Sequence, residues 1–439
     1  MRTIPNRSED SSSRPSVRPL RALTAVLAAL AALLVPSLHV AGAAEATDGP
    51  TAAAWAADWL DTQLSGGLPL ENFGSPDWGT TVEAALGLAA LGGNDARLAE
   101  VWTAVEGDRE GIVTSSGADV PGRLALVILL AEVLGQDPTA VGAGGGADLV
   151  ARLQATLTVG GANDGLFGSQ DPTYDGAYRQ GYSLAALVAA GATPDPASVA
   201  WLVDQQCADG SWMPYRADTS QPCAFDGGLF VGPDSNSTAA AISGLDAVGQ
   251  GAGAAVTAAL GWLDTVQHDD GGWSFFPPDD TDPNSTAVVL MALRAVGAIE
   301  DARFADRDAA PLSSLLSFQL ACAEGEDAGA FTFPGSNGAP NLFATAQGAF
   351  AAAGATLGVT GPVASGPFAD PCAVQPTTTT VPGSGTTPPP GQGSVSADGG
   401  AQPAALAFTG RTSVAPVALG AGLLLAGALA LGAARRRTS

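Results

Sequence analysis

The chain has 439 residues, of which 18 are basic and 43 acidic, for a formal charge of −25. All 18 basic residues are arginines; five lie in the first 21 positions and four from Arg411 onward. Once Glu9 and Asp10 are set aside with the first group, nine arginines face 41 acidic residues, so no basic patch remains to bind nucleic acid and the exterior is a solvated acidic one.

Residues 1–43 read as a secretory signal peptide. A basic stretch over 2–21 is followed by 14 uncharged residues at 22–35 and by the small-residue cleavage site Ala41-Gly42-Ala43. In an exported protein the four cysteines, Cys207, Cys223, Cys322 and Cys372, favour disulfides. Three pairings are possible; Cys207 with Cys223 is the local one, and it would go with Cys322 to Cys372. His39 leaves with the leader, so His268 is the only histidine left to ligate a metal, and no metal site or cofactor is read.

From residue 52 the chain reads as helical hairpins. The first has Trp55, Trp59, Leu60 and Leu64 at helical spacing, a step at Gly67, and a partner helix over 80–91 ended by Gly92-Gly93. The second is marked by Trp102, takes Gly111-Ile112-Val113 as its step, and has a partner over 124–134. The third joins 149–157 to 180–190 through a longer loop with Gly165 and three tyrosines, Tyr174, Tyr178 and Tyr182.

Hairpins four and five are written in the same words. One carries Gln206, Gly210 and Trp212, then Asp234-Ser235-Asn236-Ser237-Thr238-Ala239; the other carries Gln267, Gly271 and Trp273, then Asp282-Pro283-Asn284-Ser285-Thr286-Ala287. In this reading the glutamine ends the first helix, the glycine takes positive φ and the tryptophan seals the hairpin. The sixth opens at Pro311, steps at Gly329 and ends at Gly354.

The repeated Q-x-x-x-G-x-W resembles the QW motif of the prenyltransferase and squalene oxidase repeat, the unit of terpenoid-cyclase-like toroids. Six such steps predict an all-α fold, an α6/α6 toroid over 44–373. The small, apolar partner helices form its inner ring and the tryptophan-bearing helices its outer ring. The resemblance extends to terpene cyclases, prenyltransferase β-subunits, thioester domains and cobalamin carriers, so fold alone leaves function open.

Class II cyclases of this fold carry D-x-D-D-T-A at one inner helix, and by that resemblance the acid would stand at Asn236 or Asn284. An amide is not a strong proton donor, and Asp234 and Asp282 read as helix caps. The prenyltransferase zinc triad and a thioester motif are absent from the sequence.

A binding reading remains, for a small apolar or cofactor-like ligand or a surface partner. Its candidate contacts are Trp78, Tyr174, Tyr178, Tyr215, Phe230, Asp234, Asn236, Phe276, Asp282, Asn284 and Phe343. A toroid enzyme, cyclase-like or carbohydrate-active through its loop carboxylates, and a structural or adhesive surface protein are the alternatives.

Past Cys372 the composition turns to Pro, Thr, Gly and Ser, and 374–405 reads as a disordered spacer. Leu406-Ala407-Phe408-Thr409-Gly410, the 21 residues 414–434 and Arg435-Arg436-Arg437 follow. That order over 406–439 resembles a Gram-positive cell-wall sorting signal of the L-A-x-T-G form. The resemblance implies a sortase that cuts between Thr409 and Gly410 and joins Thr409 to peptidoglycan. The 21-residue span is also long enough to act as a transmembrane helix, before sorting or as the final anchor.

Overall fold

Helix starts are fixed by side chains that supply what the first turn lacks. Asp48, Asp77, Asp148, Asp195, Asp234, Asp282 and Asn341 each accept a hydrogen bond from a backbone N–H two or three residues on. The computed structural model describes residues 48–358, except 73, 143–145, 169–175, 227–230 and 308. The chain divides into Met1–Ala43 and Ala44–Ser439, and the described residues belong to the second unit. Residues 1–43, read above as a signal peptide, Tyr174, Phe230, Cys372, the stretch 374–405 read as a spacer, Leu406, Thr409, Gly410 and the apolar span 414–434 lie outside the described residues. Among the described residues no helix is long and apolar enough to cross a membrane.

Those residues are mostly helical. Six long helices form a closed inner ring: α2 (Trp78–Leu91), α5 (Pro121–Val133), α7 (Ala177–Ala189), α9 (Ser235–Ala247), α11 (Pro283–Ala295) and α14 (Leu342–Ala352). Each packs on the next in that order, and α14 packs back on α2. The outer helices are α1 (Gly49–Ser65), α3 (Asp95–Gly107), α6 (Leu149–Ala155), α8 (Pro196–Asp204), α10 (Ala254–Thr265) and α13 (Pro311–Leu316). Short helices α4 (Arg109–Val113) and α12 (Ala302–Ala305), a 3₁₀ turn at Cys322–Asp327 and two antiparallel hairpins of two-residue strands are the other elements among the described residues.

Inner helices are buried almost all round, which is why their sequences are alanine- and leucine-rich. The tightest neighbours, α7 and α9, meet through glycines: a Cβ on Gly181 would fall 2.0 Å from the Ala240 carbonyl oxygen.

Each outer helix lies against the inner helix that precedes it in the ring, with α1 lying against α14; α1 and α13 also lie along the one that follows. The QW residues explain this. Gln206 Nε2 donates to Gly210 O at 2.9 Å within its own loop and to Ala255 O at 2.8 Å at the start of α10. Gln267 Nε2 does the same with Gly271 O (2.8 Å) and Phe304 O (3.0 Å). Gln319 Nε2 reaches Gly329 O at 2.9 Å and Ala52 O at 2.8 Å in α1, closing the ring.

The glutamine therefore staples one repeat to the next, a longer-range role than ending its own helix. Gly210 has φ 97°, and a Cβ there would also sit 2.4 Å from Ala258 O of the next outer helix. Trp212 and Trp273, both fully buried, donate through Nε1 to Leu202 O (2.8 Å) and Leu263 O (2.9 Å), sealing their hairpins.

The second repeat departs from its expected step. Gly111 lies inside helix α4, and the chain turns instead at Ser116 and Gly117, with φ 52° and 82°. Cys207 and Cys223 form a disulfide. The partner expected for Cys322, Cys372, is outside the described residues.

Candidate functional site at the centre of the inner ring

One hydrogen bond sets the register of the inner helices. The Trp212 N–H donates to Thr238 Oγ1 (2.9 Å), Trp273 N–H to Thr286 Oγ1 (3.1 Å), Phe331 N–H to Thr345 Oγ1 (2.9 Å) and Leu70 N–H to Thr81 Oγ1 (2.9 Å). In α7 the Gln180 side chain takes the place of threonine, accepting from Phe167 N–H at 3.0 Å. Counting from these anchors, residues two before and two after stand four apart and share one helix face. The positions before are Gly79, Tyr178, Asn236, Asn284 and Phe343. The positions after are Glu83, Tyr182, Ala240, Val288 and Gln347.

From that face a polar network forms across four helices. Asn284 Nδ2 donates to Gln347 Oε1 at 3.0 Å, and Gln347 Nε2 donates to Glu83 Oε1 at 3.3 Å. Gln347 also hydrogen-bonds Tyr178, whose hydroxyl donates to the Tyr182 hydroxyl at 3.0 Å. The two tyrosine rings stack with centroids 4.8 Å apart. Among the described residues Glu83 Oε2, Asn284 Oδ1 and Asn236 Oδ1 are buried with no hydrogen-bond partner.

Glu83, Tyr182 and Gln347 form the polar wall of a cavity whose other sides include Leu86, Leu126, Met291 and Phe350. Leu357, just past α14, also lines it. The cavity has about 20 Å³ of room, the scale of one or two waters.

Burial governs the charges here. Glu83 is pushed up to about 8 by desolvation, against the hydrogen bond from Gln347 and with help from the negative charge of Asp77. Glu83 lines the cavity, and its Oε2 is shut off from solvent. Asp234 is pushed up to about 7 by burial despite its bond from the Ser237 N–H, and Asp282 is also raised by burial. The phenols of Tyr178 and Tyr182 are raised by burial as well.

Asp234 and Asp282 serve as caps. Asp234 Oδ1 accepts from Ser237 N–H at 2.6 Å, and Asp282 accepts from Ser285 N–H (2.8 Å), Ser285 Oγ (2.8 Å) and Phe275 N–H (3.0 Å).

Other expected contacts engage elsewhere. Trp78 Nε1 donates to Asp108 Oδ2 at 2.9 Å, tying α2 to the α3–α4 junction. Tyr215 stacks on Trp201 and donates to Asn163 Oδ1 at 2.9 Å. Phe276 packs on Phe275 and Phe225. Phe343 is half-buried at the register position that Asn284 holds in α11. His268 Nε2 lies 3.3 Å from Ser274 Oγ, and among the described residues no three His, Cys, Asp or Glu side chains cluster to hold a metal.

Glu83 and Gln347 are the residues that motif matching misses. The available signal is weak: each is the sole charged or amide side chain in an otherwise small and apolar helix, two residues after a threonine.

No family model matches the sequence, and no curated protein matches it. Among solved structures, a protein from Actinoplanes is 18% identical, with 70% of this chain and 98% of that one covered and a TM-score of 0.48. A type II terpene cyclase from Scytonema, in complex with merosterolic acid A, is 16% identical over 69% of this chain and 97% of its own, with a TM-score of 0.44. An ent-copalyl diphosphate synthase from Streptomyces platensis is 19% identical with a TM-score of 0.36; the match covers 70% of this chain and half of that enzyme.

Proposed function

We propose that the protein is an exported, surface-anchored toroid that binds a small molecule at the centre of its inner ring. The observation that carries this reading is the pair of buried oxygens without partners, on Glu83 and Asn284, within a hydrogen-bonded polar network set among apolar helices. Native interiors pair such groups, and unpaired ones mark places where a ligand or water completes the bonding. Anchoring rests on the order of Leu406, Thr409, Gly410, the apolar span and the basic tail, which fits a sortase substrate destined for peptidoglycan.

Solvent extraction of the purified chain followed by mass spectrometry tests the binding reading. A compound recovered at about one per ring, and lost in Gln347→Leu, is the expected result. No difference between the two extracts would refute it. For anchoring, Thr409→Ala should move the protein out of the wall fraction.

A second reading, an enzyme, draws on Glu83 itself, a carboxyl kept neutral at pH 7 inside the ring. Incubation with geranylgeranyl diphosphate separates the two: a cyclic product that disappears in Glu83→Gln would favour catalysis, and unchanged substrate favours binding.

A further inference from the structure

We propose that Leu357 is a plug: it closes the ring-centre cavity from the side of the inner-helix C-termini, and its withdrawal is the route by which a small apolar molecule enters. This rests on the binding reading above and names the way in.

The register of the inner helices locates the two ends of the cavity. Each anchor is the fourth residue of its helix, and Leu124 holds that place in α5. Of the residues two after it, Glu83, Leu126, Tyr182 and Gln347 line the cavity; of those five after it, Leu86, Met291 and Phe350 do. Three residues of helix rise about 4.5 Å, so the cavity runs from the polar level toward the helix C-termini. Seven residues make nearly two turns, so the positions nine after the anchor share the face of the positions two after it. They are Ala90, Val133, Ala189, Ala247, Ala295 and Gly354, and the inner helices end at that level.

Side chains that short leave the axis wide, and Ala189, Ala247 and Ala295 are half-exposed. Leu357 reaches the axis from beyond the helices. Helix α14 is stopped by Gly354, whose φ of 91° is left-handed, and the Ala355 N–H returns to Phe350 O at 3.3 Å, which reverses the chain. Three residues past Gly354, Leu357 is only 6% exposed and lines the same cavity as Leu86, Met291 and Phe350. Its neighbour Gly358 is already exposed.

The two ends of the cavity are held differently. At the polar end Asn284, Gln347, Glu83 and Tyr178 are hydrogen-bonded across α11, α14, α2 and α7, so opening there breaks bonds between four helices. Moving Leu357 aside breaks none of them. It displaces one side chain on a short stretch past the last helix, and such segments open locally at far less cost than the ring unfolds. With the plug seated the cavity has about 20 Å³ of room, so anything larger than a water or two needs the space that the leucine vacates. Leu86, Met291 and Phe350 offer hydrocarbon to what passes, and a charged molecule would lose its hydration there.

The test uses xenon as an apolar probe of the full chain, with binding and exchange read by ¹²⁹Xe NMR. Leu357→Ala and Leu86→Ala remove the same three carbons from the cavity wall, one at the plug and one on α2, so both make room for the probe. Both variants should bind xenon more tightly than wild type, and exchange should be about ten-fold faster in Leu357→Ala than in Leu86→Ala, where the plug is intact. Urea unfolding checks that each is folded, and Leu126→Ala on α5 replaces Leu86→Ala if that variant is not. Equal exchange rates in the two variants overturn the plug and leave the binding reading to its own extraction test. Xenon binding in wild type as tight as in Leu357→Ala, or in neither variant, overturns it as well.

Discussion

Replacing Glu83 by glutamine should make the protein more stable, and by an amount that grows with pH. In the unfolded chain Glu83 titrates near 4.5, whereas in the fold burial raises it to about 8. Between those values the native state binds a proton that the unfolded state has released, so stability falls as pH rises through this window and levels off above it. At pH 7 the gap is about 2.5 pH units, which at 1.36 kcal/mol each is about 3 kcal/mol. Glutamine is neutral in both states and still accepts from Gln347 Nε2. Asp234 and Asp282, whose carboxyls are also raised, are common to both proteins and cancel. Urea unfolding of wild type and Glu83→Gln at pH 4.5, 6, 7 and 8 should give curves that coincide at the first pH and diverge toward about 3 kcal/mol at pH 7. Parallel stability profiles across that range would mean that Glu83 is hydrated and charged in the fold, and the neutral-carboxyl argument would fail.

The two capping aspartates should respond differently to the same change. Asp282→Asn leaves Phe275 N–H without its acceptor and should cost about 1–2 kcal/mol in urea unfolding at pH 7. Asp234→Asn should cost nothing and instead gain stability as pH rises from 4 to 7, since burial lifts this carboxyl to about 7, its Oδ2 has no partner and asparagine caps as well; equal costs would contradict the hydrogen-bond assignment. Gln319→Ala strands the Ala52 and Gly329 carbonyls, so about 1–3 kcal/mol of stability should be lost, with faster amide exchange in α1 and α14 where the ring closes. Loss of the Cys207–Cys223 disulfide, which closes a loop with a sequence separation of 16, should lower stability by about 3 kcal/mol, measured with Cys207→Ser/Cys223→Ser against wild type.

Legibility followed the range of the interaction. Trp212 and Trp273 announce hairpins because they bond to carbonyls only 10 residues away in their own outer helices. The glutamines read as local helix ends, yet their second bonds join residues 49 and 37 apart, and 267 apart for Gln319, distances at which a motif carries no signal. Gly111 matched the repeat by residue type but was claimed by the short helix α4, while Ser116-Gly117 supplied the turn. At the site, Asn236 and Asn284 were found because a motif frames them. Glu83 and Gln347 have no frame of their own and come together only through closure, as α2 and α14 are the first and last inner helices in chain order and neighbours in the ring.

Closure also bears on why the polar network is possible at all. A buried carboxyl in a single helix would be paired or expelled. Here the anchors, threonine in α2, α9, α11 and α14 and Gln180 in α7, hold five inner helices in the same register, so that side chains two residues beyond the anchor meet at one level from different repeats. Substitution at that level changes the interior without touching the staples. Ala240 and Val288 leave it apolar on α9 and α11, while Glu83, Tyr182 and Gln347 make it polar on α2, α7 and α14. The repeat supplies the scaffold through Gln, Gly, Trp and Thr; the residues that differ between repeats at the positions flanking the anchor give this ring its chemistry.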